Sequence, residues 1–195
     1  MNIRRICVFC GSNLGTNPAY QKAASALARI LVARQIEIVY GAGNVGLMGA
    51  LADSVLAAHG TVIGVIPESL VAREVAHQGL TKLHIVQSMH QRKALMSDLS
   101  DGFIALPGGF GTFEEFCEVV TWSQLGIQAK PCGLLNVAGY YDPLLELFDR
   151  AVSEGFLPAH NRKLVLADCE PERLLEQMAR FQPPAGDKWI RNNER

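Results

Sequence analysis

The sequence predicts an α/β protein: one domain with a doubly wound, Rossmann-like, mostly parallel sheet and helices on both faces. Three observations predict it. Short apolar runs alternate with longer helical stretches, the pattern of βαβ units. The runs are nearly continuous in apolar residues, as strands covered on both faces are. Glycine-containing turns follow several of the runs at the edge where such a fold gathers its ligand loops.

The elements are justified in chain order. Residues 6–10 form the first strand and end in the turn Cys10-Gly11-Ser12-Asn13. Pro18 pre-sets φ for a helix over 18–34, and a second strand spans 36–40. Gly41-Ala42-Gly43-Asn44-Val45-Gly46 then leads into a helix over 47–59. Strands at 61–66 and 83–86 follow, and a helix starts at Met89 and runs over 89–100. The strand 103–106 feeds a glycine loop and a helix over 112–125. A strand at 133–135, a helix over 143–154 opened by Pro143, a strand at 164–166 and a helix over 171–181 opened by Pro171 complete the pattern. Residues 1–181 are expected to form one Rossmann-like domain, and 182–195, with Pro183-Pro184, an irregular tail.

At 195 residues, 49% hydrophobic and 19% charged, the chain has ample material for one core. A net charge of −1 offers no global attraction to nucleic acid or an anionic membrane, so neither is expected as a partner. No apolar run approaches the ~18 residues of a membrane span, and the N-terminus lacks a signal-peptide pattern. A cytoplasmic location is expected. Five cysteines without regular spacing suit reduced thiols, and Cys7 and Cys10 read as strand packing rather than a redox pair. The five histidines show no metal-ligand spacing, so no metal is expected, nor any cofactor. There is no G-x-S-x-G elbow for acyl transfer.

The chemistry concentrates in Leu106-Pro107-Gly108-Gly109-Phe110-Gly111-Thr112-Phe113-Glu114-Glu115. Glycines here let backbone approach an anion closely, and the first N–H groups of the following helix, with its dipole, favour phosphate. Two carboxylates in the same turn point to chemistry on a sugar phosphate. Thr112 and Glu115 also satisfy a capping-box pattern that needs no ligand. The loops carrying Ser12 and Gly43 lie at the same edge. The second is formally G-x-G-x-x-G, with Glu68 as a loosely placed ribose acid, which leaves a dinucleotide-dependent oxidoreductase as an alternative. Adjacent Arg92 and Lys93 point about 100° apart on a helix, so one can face substrate and the other solvent or a second chain.

The stretch Pro107 to Glu115 matches PGGxGTxxE, and with Cys7-Val8-Phe9-Cys10-Gly11-Ser12, Met89-His90-Gln91-Arg92-Lys93 and Thr121-Trp122-Ser123-Gln124-Leu125-Gly126-Ile127 it resembles the LOG ("lonely guy") family, the cytokinin riboside 5'-monophosphate phosphoribohydrolases. Further likeness lies in Glu74-Val75-Ala76-His77 and in Gly133-Leu134-Leu135-Asn136. The resemblance implies hydrolysis of the N-glycosidic bond of a nucleoside 5'-monophosphate, AMP or an N6-modified AMP, to free base and ribose 5-phosphate. It implies Arg92 and Glu115 as catalytic residues. Substrate contacts would come from Glu74, Lys93, Gly109, Phe110, Gly111, Thr112, Glu114 and Thr121, beside the loop residues Gly108, Ser12 and Gly43. It also implies a homodimer with the site near the interface.

Asn13 and Ala42 depart from the family pattern, where many relatives have Ser and Gly. Relatives often carry the label lysine decarboxylase, but no cofactor-anchoring lysine stands out. A carboxylate beside the anomeric carbon would stabilise ring charge, the task expected of Glu115. Arg92, always protonated, would act as a fixed charge. A nucleotide-binding module without catalysis is the other alternative.

Overall fold

In the computed structural model, which describes residues 3–71 and 76–183, seven strands make one sheet in the order β4-β3-β2-β1-β5-β6-β7. The strands are β1 (Arg5–Phe9), β2 (Glu37–Tyr40), β3 (Val62–Pro67), β4 (Lys82–Val86), β5 (Gly102–Ala105), β6 (Cys132–Leu135) and β7 (Val165–Asp168). Every pairing is parallel. The helices are α1 (Pro18–Ala33), α2 (Gly46–Ala57), α3 (Glu68–Val71), α4 (Met89–Asp98), α5 (Phe110–Gln124), α6 (Asp142–Ser153), α7 (Ala159–Arg162) and α8 (Pro171–Arg180). All seven expected strands form. The short helices α3 and α7 were not expected, since four residues carry too little periodicity to register.

Alternation along β1 shows how the sheet divides the core. Ile6, Val8 and Cys10 pack with α1, α2 and α8 on one face, whereas Cys7 and Phe9 pack with α4, α5 and α6 on the other. Both cysteines are buried and, among the described residues, all five are free, which fits strand packing. Burial first, then the charge of Glu115, pushes the Cys10 thiol well up.

From β1 the chain steps outward through β2, β3 and β4, then returns to lay β5 on the other side of β1. Loops leaving β1 and β5 therefore diverge at the switch point, the crevice where open α/β sheets bind ligands. Gly11 N–H donates to Pro107 O at 3.0 Å and Leu47 N–H to Gly11 O at 3.0 Å, tying together the loops after β1, β5 and β2. Gly46, at φ 62, packs so tightly that a Cβ would stand 2.2 Å from the Ser12 carbonyl carbon. Only glycine suits that position.

Candidate active site

The glycine loop after β5 and the start of α5 are built without a side-chain cap. Gly109 is the N-cap residue and α5 begins at Phe110. This corrects the capping-box reading: Thr112 lies inside the first turn, and Glu115 lies beyond reach of the cap. The Phe113 N–H donates to Gly109 O at 3.1 Å, so the N–H groups of Phe110, Gly111 and Thr112 come before the first intrahelical donor. Cβ atoms on Gly109 and Gly111 would meet nothing within 4 Å, so packing within the chain does not demand glycine there. At Gly108 it does, because a Cβ would stand 2.1 Å from Thr112 Oγ1.

Arg92 arrives from α4. Ser88 caps that helix, its Oγ accepting from Gln91 N–H at 3.2 Å, while Gln91 Oε1 accepts from Gln87 N–H at 2.8 Å. This start places Arg92 one turn in, aimed at the carboxyl ends of β2 and β3. Its guanidinium is buried, only 6% of the residue being exposed. Nε donates to Val65 O at 3.1 Å and Nη2 to Gly41 O at 2.8 Å, with Nη1 3.7 Å from Met89 Sδ. A cation seated on two carbonyls is pre-aimed, since little reorganisation remains for it to pay.

Arg92 and Glu115 line one cavity of about 320 Å³ together with Cys10, Gly11, Ser12, Met48, Leu70, Met89, Gly109, Phe110, Gly111, Thr112 and Glu114. Both charges also reach the Cys7 thiol: burial raises its pKa most, Glu115 raises it further and Arg92 opposes. Acid and guanidinium thus converge on the switch-point crevice from different helices.

Other expected site residues fall elsewhere. Lys93 turns away from Arg92, its Nζ pairing with Glu114 and, at 3.0 Å, with Glu118 on α5. Burial lowers its pKa, but the bonds and charges of those two glutamates win and raise it. Thr121 lies about 13 Å along α5 from Thr112, exposed, its Oγ1 donating to Cys117 O at 2.7 Å. Gly43 sits behind Met48 and pairs with Ala76 in an isolated bridge. Gly108 lines a neighbouring cleft, and Glu74 lies outside the described residues.

The dinucleotide reading of the Gly41 loop loses ground here. Gly41 spends its carbonyl on Arg92, Ala42 O accepts from His77 N–H at 3.0 Å, and Glu68 is an exposed residue of α3. The loop follows β2, one strand away from the switch point. Among the described residues, no lysine lines the cavity either.

Residue type and spacing did not single out Met48 or Leu70, because their positions depend on long-range packing. Tyr140 and Tyr141 were missed too, although Asn136 in the motif after β6 is their anchor: its Oδ1 accepts from Tyr141 N–H at 2.7 Å.

A family model described as "possible lysine decarboxylase" matches residues 48–178. A protein of Oryza sativa subsp. japonica named a probable cytokinin riboside 5'-monophosphate phosphoribohydrolase is 51% identical over 177 residues, covering 91% of this chain and 79% of its own length. A protein of Arabidopsis thaliana named a cytokinin riboside 5'-monophosphate phosphoribohydrolase is 49% identical over 184 residues, covering 94% and 86%. The chain belongs to the LOG family.

Solved structures agree on the fold alone. A molybdenum cofactor binding protein from Rippkaea orientalis superposes with a TM-score of 0.68 at 19% identity, covering 92% of this chain and 98% of that one. The molybdenum cofactor carrier protein of Chlamydomonas reinhardtii gives 0.68 at 18% identity, covering 92% and 100%.

Proposed function

We propose that this LOG-family chain hydrolyses the N-glycosidic bond of a nucleoside 5'-monophosphate, AMP or an N6-modified AMP, giving free base and ribose 5-phosphate. The observation that carries the reading is the shared cavity of Arg92, Glu115 and the uncapped start of α5. The amides of Gly109 to Thr112 hold the 5'-phosphate, and remote binding energy places the sugar over the carboxylate. As the C1'–N bond breaks, its electron pair leaves with the base and positive charge grows on the ribose. Glu115 stabilises that charge. Water adds to C1' and the base takes up a proton. Arg92 acts as a fixed charge holding acid and substrate in register.

Lys93 and Thr121 lie outside the cavity of one chain, so we assign their substrate contacts to a homodimer that brings α4 and α5 of two copies together. Phe110, 93% exposed at the cavity, and the exposed Met89 and Ile85 supply apolar surface for that partner. Among the described residues no helix is long and apolar enough to cross a membrane, and we place the activity in the cytoplasm.

Incubating the pure protein with AMP and following adenine and ribose 5-phosphate by chromatography tests the reading. Stoichiometric release of both is expected. Tight binding of AMP without release would instead identify a nucleotide-binding module, and binding of NAD without base release an oxidoreductase.

A further inference from the structure

Three consecutive carbonyls in the glycine loop each accept a hydrogen bond from a distant residue. Tyr141 Oη donates to Leu106 O at 2.6 Å, Gly11 N–H donates to Pro107 O at 3.0 Å, and Tyr140 Oη donates to Gly108 O. No described peptide bond is cis, and in a trans peptide the N–H points opposite to the C=O. Fixing Gly108 O toward Tyr140 therefore turns the Gly109 N–H away from Tyr140. Tyr140 and Gly108 line the neighbouring cleft, whereas Gly109 borders both that cleft and the Arg92–Glu115 cavity.

The Gly108–Gly109 peptide needs such a hold. It lies between two residues without Cβ atoms, so rotating the whole peptide plane meets little steric resistance. The tyrosine is itself firmly placed. Ala138 at φ 51 and Gly139 at φ 72 turn the chain sharply before it. Its ring meets Tyr141 edge-on at 5.1 Å, Tyr20 edge-on at 5.7 Å and Phe113 stacked at 6.4 Å. A strained turn that delivers one hydroxyl to one carbonyl is the kind of arrangement found where geometry serves binding.

We infer that Tyr140 is a positioning residue of the phosphate loop: its hydroxyl latches the Gly108–Gly109 peptide in the orientation that turns the Gly109 N–H toward the 5'-phosphate. The inference rests on the proposed nucleotide reading and adds the residue that sets how many amides the anion meets.

The test uses Tyr140→Phe in the full chain, which keeps the ring contacts and removes only the hydroxyl. Calorimetric titration with AMP, ribose 5-phosphate and adenosine is read beside steady-state kinetics. Affinity for AMP and ribose 5-phosphate should fall about tenfold, the loss expected for one hydrogen bond to a charged group. Adenosine binding should not change, and KM for AMP should rise with kcat within about twofold. Unchanged affinity for the phosphate compounds would overturn the latch, and so would equal losses for AMP and adenosine, which mark a general structural role. A wild-type chain that binds AMP without cleaving it removes the proposed reaction but leaves this comparison intact. A wild-type chain that binds no phosphate compound overturns both.

Discussion

Gly41 and Arg92 occupy each other's space: Arg92 Nη2 donates to Gly41 O at 2.8 Å, and a Cβ on Gly41 would stand 1.9 Å from that same nitrogen. The first residue of a loop that looks like a nucleotide fingerprint is glycine because a guanidinium from another helix lies against it. Gly41→Ala should push Arg92 off its carbonyl seat and lower kcat/KM for AMP by about 10²–10³, the usual cost of one misplaced preorganised charge. Steady-state rates of adenine release check this. Activity close to wild type would show that Arg92 needs no fixed aim.

Arg92→Ala and Glu115→Gln should each lower turnover by at least about 10²-fold. Because Gly109, not Thr112, is the N-cap, Glu115 is not a capping group and its amide variant should keep stability within about 1 kcal/mol. Urea unfolding measured beside turnover separates the two effects. Near-normal turnover in Glu115→Gln would remove Glu115 from the chemistry.

Gly111→Ala separates ligand demand from fold demand. The added methyl meets nothing within 4 Å of the chain and lies in the first turn of α5, so the melting temperature should hold or rise. Affinity for ribose 5-phosphate should nevertheless drop severalfold, since a Cβ keeps the anion from the amides. Equal affinity for the two proteins would move the phosphate away from this turn.

Asp168 sets an acid limit on stability. Burial raises its carboxyl, but the backbone N–H of Glu170 at 2.9 Å and Arg173 Nε at 3.0 Å bind the ionised form and carry the pKa below the ordinary carboxylate value. A depressed folded pKa means stability that is complete above the unfolded value near ~3.9 and lost as pH falls through the folded one. Asp168→Asn should cost about 1–3 kcal/mol at pH 7 and progressively less below about pH 4. Denaturant titrations at several pH values check the convergence.

The reading from residues alone went furthest where the signal is local. Each apolar run became a strand, and Pro18, Pro143 and Pro171 each open a helix. PGGFGT marked the glycine loop that opens α5 beside Arg92 and Glu115, because a glycine run ahead of a helix start is a local signal. The reading misjudged the start of α5 by two residues, since Thr112 and Glu115 have the capping-box spacing although Gly109 opens the helix. Helix geometry also set Arg92 and Lys93 about 100° apart, and the two do end in opposite surroundings, one on carbonyls and one on carboxylates, but which of them faces the cavity is decided by packing.

Strand order, the burial of Arg92 and the grip of Tyr140 on Gly108 come from packing between segments far apart in the chain. Periodicity and turn chemistry are properties of neighbouring residues, so fold class, loop positions and the acid-bearing glycine motif are written in the amino-acid order. Which carbonyl meets which donor depends on how the sheet brings β1, β2 and β5 side by side. Distances between such groups exist only after the core has closed around them.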